Sequence, residues 1–205
     1  MAGPIEGVPS SPRYTLALGG IMRQPNDSLA NPYGNDSVEI SSGTSQVKET
    51  VPSTPEFGGF GEFHLTLPSG LGAGYRLGVL ATPGSNNIHS GQGKAVINSR
   101  DAVIENSLLF SWTPIGETSG SPFSFRLGAG PTLSSVFSTT TRFTLGDKPA
   151  ISDESNVQHR FGVGTSVDMN LQLLNSVGLV LGGSASFFGS AGTMLGANAG
   201  LTLDL

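Results

Sequence analysis

The stretch that decides the fold is Thr193 to Leu205, which reads T-M-L-G-A-N-A-G-L-T-L-D-L. Apolar residues hold the odd positions from Leu195 to Leu205, whereas small or polar residues hold the even positions. This two-residue period places all the apolar side chains on one face of a strand. The other face carries mostly Gly, Asn and Thr, where the wet face of a soluble strand normally carries Lys, Glu or Arg. The pattern therefore predicts a strand whose apolar face meets something other than water.

The same alternation recurs seven times upstream and predicts seven more strands. Two residues break the pattern: Leu80 falls on the small-residue face, and Asn106 falls on the apolar face. Pro131 lacks an N–H, so we expect it to mark a bulge or the membrane rim. The predicted strands lie at about 13–22, 56–67, 71–82, 102–113, from 122 onward, 157–171 and 177–187.

The connections between these strands alternate between long and short. Residues 23–55, 83–101 and about 138–156 are long and polar, whereas the turns near 68–70, 114–121 and 174–176 are short. Unstructured loops of this length are uncommon in compact soluble domains. Membrane barrels, in contrast, have short turns at one end and long loops at the other.

The few charged residues support a barrel that faces lipid. Only 12% of the residues are charged, about half of the typical ~25% of soluble domains. No window is apolar for long enough to form a transmembrane helix. Chance would put all the strand charges on the small-residue face in roughly one case in a hundred. These charges are Glu62, Arg76, Glu105, Arg126, Arg160, Asp168 and Asp204.

We therefore predict an all-β fold: an eight-stranded antiparallel up-and-down transmembrane β-barrel with long loops at one end. The barrel should span residues 13–205, after an irregular lead-in at 1–12. The alternative is a soluble barrel of the lipocalin kind with its apolar face inside. Such a barrel would expose a surface of Gly, Ser and few charges, which is poorly soluble.

Three sets of site residues follow from this barrel. Glu62 should pair with Arg76, because a turn at 68–70 places the two opposite each other on the inner face. The predicted interior ionic network is Glu62, His64, Arg76, Glu105, Arg126, Arg160 and Asp168. The predicted clasp across the closing seam is Arg13 with Asp204. The predicted aromatic girdle is Tyr14, Phe57, Trp112, Phe123, Phe161 and Phe187.

Other kinds of site have little support. The chain has no cysteine, so it has no disulfide and no thiolate ligand. His64, His89 and His159 are scattered without an acid at ligand spacing, so we predict no metal and no cofactor. A net charge of -5 without a basic stripe argues against nucleic acid. The acidic residues of the long segments could bridge divalent cations, although such residues are more often simply solvated: Asp27, Asp36, Asp147, Asp153 and Glu154.

In its alternation and its loop asymmetry, nearly the whole chain resembles the small eight-stranded outer-membrane barrels of the OmpA-transmembrane-domain and OmpX type. Members of this group usually end in an aromatic residue, whereas this chain ends in Leu205, so either the lineage differs or a downstream domain has been removed. The resemblance implies the bacterial outer membrane, with lipid and lipopolysaccharide as partners. The N-terminal residues lack the features of a signal peptide, so we expect that any signal peptide has been removed.

The leading functional hypothesis is a non-enzymatic barrel that serves as an envelope anchor or in surface adhesion. A host or envelope protein would bind at 23–55, 83–101 and 138–156. A narrow pore is the second hypothesis, but nearly balanced interior charges favour a closed salt-bridge plug. A lipid-modifying enzyme is the third. His159, with Ser155 nearby in sequence, is its only candidate, and a polar rim residue is the favoured interpretation of His159.

Overall fold

The computed structural model describes residues 11–25, 37–42, 45–50, 55–81, 86–90, 93–115, 122–144, 150–189 and 192–205. The described residues form eleven strands: β1 (Arg13–Pro25), β2 (Ser37–Ser42), β3 (Ser45–Thr50), β4 (Glu56–Thr66), β5 (Leu71–Ala81), β6 (Asn86–Ser90), β7 (Gly93–Ile115), β8 (Phe123–Thr144), β9 (Ala150–Gln172), β10 (Val177–Phe187) and β11 (Thr193–Asp204). Within these ranges, no helix is long and apolar enough to cross a membrane. The expected lead-in lies outside the described residues except for Ser11 and Pro12.

Eight of the strands close into a barrel in the order β1-β4-β5-β7-β8-β9-β10-β11, and each is antiparallel to its neighbours. The ring closes because β11 pairs back with β1, from Thr15 opposite Asp204 to Pro25 opposite Met194. Both the eight-stranded antiparallel fold and the pairing of first with last strand are confirmed. Closure leaves no barrel strand with an unpaired edge in the membrane, where backbone groups cannot bond to water.

The burial of the side chains is inverted relative to a soluble protein. Large apolar residues such as Leu18, Phe110 and Leu201 are exposed on the outer surface. Charged residues such as Glu62 and Asp168 are buried in the interior. The soluble alternative with an apolar interior is therefore wrong. An outer surface of this kind is stable in contact with hydrocarbon, so the barrel spans a membrane.

The predicted long loops are partly strands, which corrects the sequence interpretation. Strands β2 and β3 form a two-stranded sheet within 23–55, and β6 pairs with the start of β7 within 83–101. Strand β9 has 23 residues, whereas β4 has 11. These stretches are polar, and an apolar alternation as short as Val38 and Ile40 is too brief to reveal a strand in the sequence.

We call the two ends of the barrel the turn end and the projecting end. At the turn end, Gly70 adopts a φ of 80°, and its N–H donates to Leu67 O at 2.9 Å. The neighbouring Leu67 N–H donates to Leu71 O at 2.7 Å, which fixes the predicted register of β4 against β5. The projecting end is formed by the extensions of β7, β8 and β9.

Pro131 does not mark a bulge. It lies within β8 opposite Val163 of β9. On the other side, the β7–β8 pairing passes from Ser107–Thr132 to Phe110–Ala129 without a change of register. The irregularity of this pair lies between Trp112 and Ile115. The ring nitrogen of Pro131 therefore costs a ladder hydrogen bond but does not shift the strand.

Candidate functional site: the barrel interior

Four buried charges meet across the middle of the bore, and we call them the quartet: Glu62, Arg76, Arg126 and Asp168. Arg76 Nε donates to Glu62 Oε2 at 2.6 Å, and Arg76 Nη2 lies 3.0 Å from Asp168 Oδ2. Arg126 Nη2 lies 2.6 Å from Glu62 Oε1 and 3.0 Å from Asp168 Oδ2. Each cation therefore contacts both anions, and the set is neutral.

The register of two hairpins on facing walls builds the quartet. Glu62 of β4 lies opposite Arg76 of β5, as the turn predicts. Arg126 of β8 lies opposite Asp168 of β9. In the closed ring, three strands separate β4 from β9 in either direction. The two cross-strand pairs therefore face each other through the interior.

Neighbouring groups complete the environment of the quartet. Asn198 Nδ2 donates to Asp168 Oδ1 at 3.3 Å, and Asp168 is 0% exposed. The Phe60 ring lies 5.5 Å from Arg76 Cζ, at cation–π distance. A Cβ at Gly182 would collide with Asp168 Oδ1, so glycine there makes room for the carboxylate.

A second ion pair crosses the bore closer to the projecting end. Arg23 of β1 pairs with Glu105 of β7, and Arg23 Nη1 donates to Ser186 Oγ of β10 at 3.2 Å. Arg23 is only 2% exposed. Arg23 was expected to lie in a loop, because the apolar alternation of β1 ends at Met22. Continuing the two-residue alternation of β1 past Met22 would have placed the Arg23 side chain on the inward face.

Glu105 was predicted in the network and pairs with Arg23 rather than with the quartet. Arg160 is half-buried, and its Nη2 donates to Gln158 Oε1 at 2.6 Å. His64 is buried beside the quartet: its Nε2 lies 2.7 Å from Ser111 Oγ, and its Nδ1 lies 3.2 Å from Thr66 Oγ1. The predicted network is thus divided between separate ion pairs and hydroxyl contacts.

An apolar layer also fills the interior, and the sequence analysis did not identify it. Leu80, noted as an exception to the alternation, is 2% exposed and belongs to this layer. Its members lie on inward positions of six strands, where the sequence pattern led us to expect small or polar side chains. The members are Ala17, Ile21, Phe60, Leu80, Val103, Val136 and Val180.

The predicted clasp lies at the turn end. Arg13 donates to Asp204, and Thr15 Oγ1 donates to the other carboxylate oxygen of Asp204 at 3.2 Å. Behind the clasp lies a polar cavity of about 120 Å³. Its lining includes Glu62, His64 and Arg126. The quartet thus forms part of the inner boundary of a small vestibule.

The outer face carries the six predicted girdle residues, and all six are exposed. The Tyr14 ring stacks on Phe63 with centroids 6.0 Å apart. Phe161, at 77% exposure, is the extreme case among them.

Polar residues on the outer face are hydrogen-bonded within the barrel. Tyr75 Oη donates to Asn106 Oδ1 at 2.5 Å, which gives a partner to the residue that breaks the apolar pattern. His159 Nδ1 lies 3.0 Å from Ser135 Oγ. Its neighbour is therefore Ser135 and not Ser155, the residue that sequence proximity suggested. Across the described ranges, no carboxylate is hydrogen-bonded to His159.

No group of three potential metal ligands occurs among the residues that the structure describes. The quartet, the apolar layer and the Arg23–Glu105 pair instead lie together in the bore, where Ala17 of the apolar layer is opposite Glu62 of the quartet. An ion that entered the bore would meet paired charges and apolar side chains, and the apolar side chains offer no group that replaces its water shell.

No protein-family pattern matches the chain, and no curated protein matches it. Solved structures do match it. The outer-membrane protein OprG from Pseudomonas aeruginosa has a TM-score of 0.63 and 11% identity, over 95% of this chain and 96% of that one. Ail, the attachment invasion locus protein of Yersinia pestis, solved with the heparin analogue sucrose octasulfate, has a TM-score of 0.50 and 5% identity, over 95% and 97%.

Neisserial surface protein A gives a TM-score of 0.50 and 11% identity, over 95% of this chain and 97% of that chain. At these identities, the likeness concerns the fold. The chain has the fold of the small eight-stranded outer-membrane barrels.

Proposed function

We propose that this closed eight-stranded barrel resides in a bacterial outer membrane and serves as an envelope anchor, presenting its projecting end for surface adhesion or structural contact. Two features of the barrel support this role: the side chains that fill the bore and the strands that project at one end.

The observation that carries the proposal is the quartet. Its two acids and two arginines are buried and mutually paired across the bore. Separating such a pair inside a protein costs several kcal/mol per ion, roughly. The apolar layer adds a second barrier. A barrel filled in this way is better suited to anchoring than to conduction.

The projecting strands support a role outside the membrane. Strand β9 exceeds β4 by 12 residues, which corresponds to roughly 40 Å of extended chain. Such a projection gives a host or envelope protein a broad surface to contact. The barrel itself would contact membrane lipid and lipopolysaccharide through its apolar belt and aromatic girdle.

The charge of the outer segments favours one class of partner. Residues 26–54, 82–101 and 138–156 contain eight acidic and five basic residues. This excess of acid disfavours a sulfated polyanion like the sucrose octasulfate in the Ail structure. It fits a protein partner with a neutral or basic surface.

We also propose that the protein is not an enzyme. On the outer face of the described residues, Ser135 Oγ lies 3.0 Å from His159 Nδ1, the spacing of a nucleophile with a base. A working pair needs a third group that orients the histidine, and none bonds to His159 in the described part of the chain.

Planar-bilayer recording tests the closed bore. We expect the purified wild-type barrel to insert without producing stepwise conductance. Steady, repeatable conductance steps at modest voltage would contradict the proposal and favour the pore.

Proteolysis of intact cells tests the outward presentation of the projecting end. We expect added protease to cut within 26–54 and to spare 116–121. Replacing residues 37–50 with a Gly-Ser linker should leave the barrel folded and abolish partner binding, whereas the same linker at 116–121 should leave binding intact. Protection of 26–54 together with cleavage at 116–121 would reverse the topology.

A further inference from the structure

Asn106 occupies the middle of the outward face of β7. Three apolar residues lie on its turn-end side and two on its projecting side along the same face. Its opposite neighbour on β5 is Leu77, and its opposite neighbour on β8 is Leu133. The outward side chains of β7 in order are Ala102, Ile104, Asn106, Leu108, Phe110 and Trp112.

The hydrogen bonds within the chain satisfy only half of this amide. Tyr75 Oη donates to Asn106 Oδ1 at 2.5 Å, and the amide nitrogen has no acceptor among the described residues. Exchanging the amide O and N would leave the oxygen without a donor instead, because Tyr75 provides one hydroxyl. An unpaired polar group in hydrocarbon costs several kcal/mol, roughly.

We propose that this face is the contact surface between two copies of the protein. A two-fold axis along the membrane normal would pass beside Asn106. Each amide nitrogen would then donate to the oxygen of the other Asn106 while Tyr75 keeps its own bond to that oxygen.

A second copy is the occupant because a primary amide is self-complementary. It holds a donor and an acceptor side by side, so a two-fold axis lets each copy donate one N–H and accept one, with no other polar group. Leu77, Leu108 and Leu133 surround the amide with apolar surface, which a second barrel in the same orientation would match. The hydroxyl of the outward Thr165 already donates to Ala185 O at 3.3 Å, so this donor does not need an acceptor from a second copy.

Strand tilt makes the contact compact. Strands in membrane barrels tilt by about 35–45°, so two β7 strands related by this axis would cross at roughly 70–90°. Side chains two outward positions from Asn106, about 13 Å along the strand, would already diverge from the partner. Proximity between the copies should therefore peak at Asn106.

Thiol cross-linking tests the contact, since the chain has no native cysteine. Leu108→Cys places a reporter next to Asn106 and leaves the amide in place. Leu201→Cys on β11 is the matched control, because β11 lies on the opposite wall and Leu201 is also exposed. Both are reconstituted in phosphatidylcholine vesicles at high lipid-to-protein ratio and treated with a short bifunctional maleimide.

We expect the dimer yield to be at least five-fold higher for Leu108→Cys than for Leu201→Cys. Adding Asn106→Leu to Leu108→Cys should reduce the yield to the control level, whereas adding Asn106→Gln should retain most of it. Heat-modifiable migration on a gel shows that each variant is folded. Equal yields at positions 108 and 201, or an unchanged yield with Asn106→Leu, would overturn the proposal.

Discussion

At the scale of single residues, the interior charges depend on one another. Arg76 contacts both Glu62 and Asp168, and Arg126 contacts the same two acids. Removing one member leaves an excess buried charge without its partner. Removing an anion together with a cation leaves the remaining pair balanced.

The first prediction follows from this balance. Arg76→Met should destabilise the barrel by about 3–5 kcal/mol, because it leaves two buried acids facing Arg126 alone. The double variant Glu62→Gln/Arg76→Met should cost less, since the neutral Arg126–Asp168 pair remains. Urea unfolding in detergent micelles, followed by the fluorescence of the single tryptophan, Trp112, measures both. A double variant that is no more stable than the single one would contradict the balance.

The clasp at the turn end should contribute much less. The Arg13 and Asp204 side chains are 35% and 21% exposed, so water screens their attraction. A double-mutant cycle with Arg13→Gln and Asp204→Asn should give a coupling of about 1 kcal/mol or less, falling as salt is added. A coupling above about 3 kcal/mol that is insensitive to salt would show that the seam is drier than its exposure indicates.

At the scale of elements, each barrel strand has one face towards the lipid and one face towards the bore. Strand β10 shows the contrast in two adjacent glycines. Gly182 faces Asp168 so closely that a Cβ would overlap Oδ1, whereas the nearest atom to a Cβ at Gly183 is Gly196 O at 3.8 Å. Both have ordinary backbone angles, so the difference between them is steric.

These two glycines therefore give a matched prediction. Gly182→Ala should destabilise the barrel by about 1–3 kcal/mol, because the new methyl group displaces a carboxylate that holds two arginines. Gly183→Ala should be close to neutral. The same urea unfolding assay measures both variants, and an equal loss for the two would show that the space beside Asp168 is not needed.

The strands also show what the sequence could and could not predict. The outward and inward residues of each strand could be predicted, because alternate residues face lipid and a narrow bore and the sequence therefore alternates with a period of two residues. The Glu62–Arg76 pair was predictable because a three-residue turn sets its register. The contact of this pair with Arg126 and Asp168 could not be predicted, because it depends on the stagger of the strands around the whole barrel. Arg23 and the projecting strands were not predicted, because the apolar alternation ends before them.

At the scale of the whole molecule, every barrel strand is bonded on both sides and no edge is open within the membrane. Detergent therefore has no exposed backbone at which to begin unfolding. We expect the unheated protein to migrate faster than the boiled protein on a gel containing dodecyl sulfate. A sample held in urea provides the unfolded control. Identical migration of all three samples would mean that the barrel does not close.

The seam between β1 and β11 has a kinetic consequence. Its terminal contact joins residues 191 positions apart in sequence, so it cannot form until the whole chain is in place. Contacts between residues far apart in sequence slow folding, because the chain loses conformational entropy before the contact contributes favourable free energy. An unfinished sheet would expose backbone groups to lipid. Closure and full insertion should therefore occur together, late and in one slow step, with no long-lived half-barrel in the bilayer.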